Sequence, residues 1–324
     1  MTSLIKVRDL AYIRYAAPDL GKMRRFLEDF GMVVADDGSH DGVLRMKGAG
    51  PRPFLHETCV GEPGFRAITL QADSVDDLER LAAGTGAAVK SLTTPGGGYG
   101  VALTDPDGIH VEVVAGQAAE AIDITGRCMP RNSLLSRDRV NVMHPLRPGA
   151  SVVFRLGHGV LRISDLRRSE AWWKEHFGLL TSDEVVDDDN GQPMGIFLRC
   201  DRGAKPSDHH SLLLAPHGPG AAIGFHHAAY EVLDLDDLMR GRDYMLARGH
   251  RAVWGIGRHV LGGQIFDYWL DPFGNRLEHW TDGDLFTADH PAQITALSIM
   301  RSNHWGGDAL PEFYNPSEQD GVAA

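Results

Sequence analysis

Apolar and polar positions alternate along this chain in blocks, and the blocks come in matching pairs. Near residue 10 the run Leu10-Ala11-Tyr12-Ile13-Arg14 reads as a strand. Pro18-Asp19-Leu20 and a stretch of helical periodicity follow, ending at Phe30-Gly31. The same order returns from Leu156-Gly157-His158-Gly159-Val160, through Ser164-Asp165-Leu166, to Phe177-Gly178. Asp19 and Asp165 suit a helix N-cap, where a carboxylate accepts from free N–H groups of the first turn. Gly31 and Gly178 suit the left-handed residue that ends a helix. Phe26 and Leu27 correspond to Trp172 and Trp173 on the inward face, and the second helix is one residue longer.

Two further pairs extend the repeat. Gly64-Phe65-Arg66-Ala67-Ile68-Thr69-Leu70 matches Gly224-Phe225-His226-His227-Ala228-Ala229-Tyr230, and both lead at the same offset into Asp-Asp-Leu, at 76–78 and 236–238. Asp105-Pro106-Asp107-Gly108 matches Asp271-Pro272-Phe273-Gly274, a turn in which proline presets φ and glycine accepts a positive φ. Flanking strands make each a hairpin that ends on a glutamate, Glu112 or Glu278. Each half therefore predicts two βαβββ units, an α+β fold of two tandem domains. The expected boundaries are a first domain over 1–120, a connection over 121–150, a second domain over 151–284 and a tail over 285–324. Periodicity fades from Gly116, and Pro130, Pro145 and Pro148 mark the connection. The tail carries Trp305, Phe313 and Tyr314, too many aromatics for a linker, and is expected to fold back on the second domain, with fraying from Ser317.

Composition narrows the partners. With 324 residues, 43% hydrophobic and 23% charged, and a formal net charge of −12, the chain has the make-up of a soluble two-domain protein. It carries no basic-aromatic patch, so no nucleic acid is expected, and no secretory signal or membrane-spanning run, so the expected compartment is the cytoplasm. Cys59, Cys128 and Cys200 form no CxxC pair and are expected to act as buried small hydrophobes.

Histidine changes the picture. There are 16, most of them after residue 157, several inside apolar strand-like runs where an imidazole needs a partner. When the halves are overlaid, His158 falls on Tyr12, His227 on Ala67 and Glu278 on Glu112. A lone strand histidine is more often a hydrogen-bonded core residue than a ligand. Two histidines and a carboxylate at three corresponding places, complete in one domain only, point instead to a metal held by His158, His227 and Glu278. Two imidazoles and one carboxylate are the facial triad of non-haem Fe(II) oxygenases, which leaves positions open for substrate and dioxygen. His226, next to His227 on the strand, is expected to face the other way.

These residues resemble the type I extradiol ring-cleavage dioxygenases of the vicinal oxygen chelate superfamily. The likeness rests on Leu156-Gly157-His158, on His226-His227-Ala228-Ala229-Tyr230, on Tyr268 to Glu278 with its Asp-Pro-x-Gly-Asn turn, and on Gly255-Ile256-Gly257-Arg258-His259. It covers nearly the whole chain in module order. The resemblance implies the vicinal oxygen chelate fold, an incomplete barrel around the metal, and an Fe(II) cofactor, with Mn(II) suited to the same ligands. It further implies cleavage of a catechol beside its vicinal diol with O2, and a homo-oligomer. His210 is implied as the acid–base residue, with His209 left open because the interval to His227 is slightly long, and His259 and Tyr268 as groups that hydrogen-bond the substrate oxygens. Trp254, Trp269, Trp280, Arg301 and His304 are candidates to line the pocket, and Asn275 and Arg276 read as turn and surface residues. The Trp305 to Tyr314 run resembles the C-terminal lid of the homoprotocatechuate-cleaving branch. Two other readings stand beside this one: a glyoxalase-like lyase or isomerase that uses metal as a Lewis acid, and a metal-free binding or resistance protein of the same fold.

Overall fold

The computed structural model describes residues 3–36, 41–125, 127, 129–145, 147–218 and 222–314. Cys128 and the stretch from Ser317 lie outside these residues. The first half runs β1 (Val7–Ala17), α1 (Leu20–Phe30), β2 (Val33–Asp36), β3 (Val43–Lys47) and β4 (His56–Val60). It continues as β5 (Gly64–Ala72), α2 (Val75–Thr85), β6 (Lys90–Ser91), β7 (Tyr99–Thr104) and β8 (His110–Ala115). The second half repeats the order: β9 (Val153–Ile163), α3 (Leu166–Phe177), β10 (Leu180–Val186), β11 (Pro193–Arg199), a short β12 (Ser207–Asp208) and β13 (Leu212–Pro216). Then come β14 (Gly224–Val232), α4 (Leu235–Ala247), β15 (Arg251–His259), β16 (Ile265–Leu270) and β17 (Arg276–Thr281). The tail adds β18 (Leu285–Phe286), β19 (Gln293–Ala296), α5 (Leu297–Met300), β20 (Asn303–Gly306) and α6 (Pro311–Tyr314).

The caps form where side-chain chemistry places them. Asp19 accepts from Lys22 N–H and Asp165 from Arg168 N–H, while Gly31 (φ 107°) and Gly178 (φ 66°) end the two helices in left-handed backbone. The helices have 11 and 12 residues. Trp173 is fully buried, but Trp172 is half-buried, because neighbours on a helix lie about 100° apart and only one can point straight at the sheet. Of the cysteines, Cys200 is buried and Cys59 half-buried.

Strand order makes the duplication explicit. The first sheet is β2-β3-β4-β1-β5-β8-β7-β6. The second is β10-β11-β13-β9-β14-β17-β16-β15, with tail strands β19 and β20 added at its two edges. In each sheet the two module-opening strands pair antiparallel at the centre, and the last strand of each module returns parallel beside its own opener. Both orders are open at their ends, so neither sheet closes into a barrel; residues of β9, β11, β13, β14, β15 and β16 line one cavity, which makes the second sheet a cup, and the first repeats its strand order. The tail strands cover backbone groups that the second cup would otherwise leave unpaired.

One apolar core runs through both halves. Ala49 and Gly50 donate their N–H groups to Val153 and Phe154 carbonyls, an approach so close that a Cβ at Gly50 would lie 2.5 Å from the Phe154 oxygen. Phe30 of α1 stacks on His279 at 3.7 Å, and Phe65 on Phe225 at 4.4 Å. His56 sits in this seam, stacked on Tyr15 and bonded to Thr58 and Tyr230.

Burial pushes the His56 pKa down to about 3. Below the unfolded value of about 6.5 the unfolded chain takes up a proton that the fold refuses, so stability is lost as pH falls through this range. Urea midpoints should therefore drop between pH 7 and pH 5. His56→Gln should flatten the dependence by about 1.4 kcal/mol per pH unit, the linkage of one histidine. An unchanged slope in the variant would place the acid sensitivity elsewhere.

Candidate metal centre

The register of three strands builds the site. On β9, β14 and β17, His158, Ala229 and Glu278 are directly opposite one another. Ala229 leaves space between its larger neighbours, so His158 and Glu278 reach over it. His227 lies two residues along β14, on the same face of the sheet. The Nε2 atoms of His158 and His227 lie 3.2 and 3.3 Å from the same Glu278 oxygen, Oε2. Ligand-competent atoms of all three residues lie within 4.8 Å of one another.

Neither contact has hydrogen-bond alignment. Both Glu278 oxygens and His227 Nε2 are buried without a well-aligned hydrogen bond, although His227 and Tyr268 both act on the carboxyl, as expected of groups gathered around a shared centre. Leaving a carboxylate in this state costs several kcal/mol, and a divalent cation removes that cost. Burial holds the imidazoles neutral, His158 at about 3 and His227, despite the opposing pull of Glu278, at about 4. Burial, opposed by His227 and Tyr268, also lifts the Glu278 carboxyl above its ordinary value. The donor set therefore fits a metal ion: two neutral nitrogens, and a carboxylate short of positive charge.

The first half supplies the control. Its corresponding register is Tyr12–Thr69–Glu112, with Ala67 in the place of His227. Here the carboxylate is satisfied by protein: the Tyr12 hydroxyl donates at 3.2 Å, Thr69 at 3.4 Å and the Arg14 guanidinium at 2.5 Å. Arg14 also pairs with Glu57, which holds Arg45, and Arg45 reaches Asp36 and Asp41. By register, Arg14, Arg45 and Glu57 occupy the places of Val160, Phe197 and Leu213. The first cup is thus filled by an ionic network, and the second is an apolar pocket.

That pocket is a cavity of about 410 Å³, with His158 and His227 in its wall. Val160, Phe197 and Leu213 pack with Leu297 and Met300 on one side. Trp254, Tyr268 and Phe313 pack together on the other. His210 enters the wall between β12 and β13, its ring 4.2 Å from that of His158, and burial followed by the neighbouring imidazoles holds its pKa well below the usual value. His209 lies behind it, outside the pocket lining. His259 Nε2 is 3.0 Å from the Tyr268 hydroxyl, and both line the cavity.

Four expectations need correction. His226 does not face away: it lines the pocket, and its Nδ1 is 2.7 Å from His227 Nδ1. A register shift between Phe225 and His227 breaks the alternation there. His226 can thereby accept the Nδ1 proton of His227 and leave Nε2 free for a ligand. Arg276 is buried at 4% exposure rather than on the surface, and reaches the His226 carbonyl. Of the tryptophans only Trp254 lines the cavity; Trp269 donates to Asp267, and Trp280 packs on Gly157, where a Cβ would meet it at 2.4 Å. Arg301 lines the cavity, while His304 is exposed on β20 and absent from the lining. Phe313, Leu297 and Met300 were not foreseen, because no internal counterpart of the tail exists.

The chain is similar to several known proteins. Residues 155–279 match the sequence model of the Glyoxalase/Bleomycin resistance protein/Dioxygenase superfamily. The chain is 27% identical over 315 residues to metapyrocatechase 2 of Cupriavidus necator, covering 95% of this chain and 91% of that one. Its structure is similar to homoprotocatechuate 2,3-dioxygenase of Brevibacterium fuscum in complex with 3,4-dihydroxyphenylacetate (TM-score 0.78, 19% identity, 96% and 92% of the two chains). It is also similar to a Mn(II)-bound glyoxalase of Novosphingobium aromaticivorans (TM-score 0.75, 24% identity, 95% and 94%). At these identities the two structural likenesses establish the fold.

Proposed function

We propose that this chain, whose residues 155–279 form a domain of the glyoxalase, bleomycin-resistance protein and dioxygenase superfamily, is an extradiol dioxygenase that opens a catechol ring beside its vicinal diol. The observation that carries the reading is the buried His158–His227–Glu278 set, beside a largely apolar cavity whose wall also holds His210, His259 and Tyr268 among its polar groups. The full-length likeness to metapyrocatechase 2 supports the same reaction class.

His158, His227 and Glu278 would hold Fe(II). When bound, the ion acidifies the catechol hydroxyls and couples the diol electronically to dioxygen. Both oxygen atoms end in the product, so no external reductant enters. The remaining work falls to the chain. Val160, Phe197, Leu213 and Phe313 exclude water and sandwich an apolar ring. His210, held neutral, takes a hydroxyl proton from the catechol and returns one during ring opening. The Tyr268 hydroxyl, paired with His259, faces the charge that develops on the substrate oxygens.

The test is oxygen uptake by protein loaded anaerobically with Fe(II), against a panel of catechols, with the coloured ring-fission product followed in parallel. One O2 consumed per catechol opened is expected. Metal-bound protein that consumes no oxygen with any catechol would instead favour Lewis-acid chemistry of the kind the Mn(II)-bound glyoxalase likeness suggests. Purified protein that binds no metal would favour a binding role.

A further inference from the structure

Behind His210 runs a line of three side chains that the proposed reaction does not use directly. His210 Nδ1 is 3.1 Å from His209 Nδ1, and His209 Nε2 is 2.7 Å from Asp183 Oδ2. The other Asp183 oxygen accepts from Thr295 Oγ1 at 2.8 Å. All three of Asp183, His209 and His210 are buried. The His209 backbone is pinned on both sides: its N–H donates to the Asp284 carbonyl at 2.9 Å, and its carbonyl accepts from Ser182 Oγ at 2.6 Å. The histidine ring is wedged between Phe197 and Phe286.

We propose that Asp183 and His209 are positioning residues that fix the tautomer of His210 and turn it into a proton acceptor toward the cavity. Resting on the reading of His210 as the proton-moving group and on a neutral His209, the inference follows from the donors and acceptors along the line. A carboxylate accepts only, so the His209 nitrogen facing Asp183 carries the proton. With His209 in its neutral form, this leaves a lone pair at Nδ1. Two lone pairs cannot face each other at 3.1 Å, so His210 Nδ1 is the donor of that bond. The remaining nitrogen of His210, Nε2, is left unprotonated on the ring edge turned away from His209. Burial alone would raise the Asp183 carboxyl, but the bonds from His209 and Thr295 outweigh it and hold the carboxyl below its usual range, which keeps the acceptor ionised. Thr295 belongs to β19, the tail strand paired alongside Asp183 on β10, so the tail secures the far end of the line.

The tautomer can be read without turnover. In wild-type protein loaded with diamagnetic Zn(II), ¹⁵N ring resonances of His210 should show a protonated Nδ1 and a bare Nε2, and His209→Phe should abolish that preference. A protonated His210 Nε2 in the wild type overturns the proposal, whether or not the protein cleaves catechols. In the Fe(II) enzyme, His209→Phe should lower kcat by at least about 10-fold, with KM and metal content unchanged. Loss of the carboxylate behind a general-base histidine elsewhere costs up to about 10⁴-fold. In a His210→Phe background the same change should cost nothing more. Multiplying losses would show that the two histidines act separately. Absence of oxygen uptake in the wild type would count against the dioxygenase reading and leave the ¹⁵N result to decide the relay.

Discussion

His227→Ala should leave a folded protein that no longer holds metal and whose ring cleavage falls to the level of the metal-free chain. The fold is expected to survive because the first half already carries this substitution: Ala67 occupies the same register on β5, in a sheet of the same strand order. The metal should not survive. Removing one of three ligands takes away a bond to the ion, whereas loss of a group that merely orients a ligand already costs about 10–100-fold in affinity or activity. It also leaves Glu278 buried with one fewer compensating contact. Metal content of the purified variant and oxygen uptake with the best catechol decide the matter. Wild-type iron with full activity would remove His227 from the ligand set.

His210→Phe should do the opposite: bound metal and KM near wild type, and kcat lower by about 10²–10⁴-fold, the usual contribution of a positioned acid–base group. The ring shape is kept, and the site already packs the edge of Phe197 against His210 at 4.9 Å. What is lost is the nitrogen of the cavity wall that is backed by the His209–Asp183 line. Steady-state kinetics beside metal analysis separates the outcomes. Unchanged turnover would pass the proton-moving role to another polar group of the wall, with the His259–Tyr268 pair the next to examine.

Much of this was legible in the sequence because the chain contains its own comparison. Each histidine could be set against a residue of the other half, and backbone periodicity placed His158, His227 and Glu278 on strands that the register does bring together. The helix caps were legible for a local reason, since a capping carboxylate and a left-handed glycine act within four residues of themselves. The features that escaped have causes that local pattern does not carry. His226 reaches the pocket only because a bulge shifts the β14 register. Asp183 gains its role from a histidine 26 residues away and a threonine 112 residues away. Phe313 lies on a tail that has no twin. Arg14, Arg45 and Glu57 lie apart in the sequence, and only the assembled cup reveals them as its filling.

That filling has a meaning for the life of the protein in a cell. Both halves place a glutamate at the hub of a curled sheet, and both hubs require a cation. In the first half the cation is a guanidinium, part of the polypeptide and present from synthesis onward. In the second it must be acquired. The first hub is therefore complete whether or not a metal ion is available. Dependence on an ion from outside the chain is confined to the second hub.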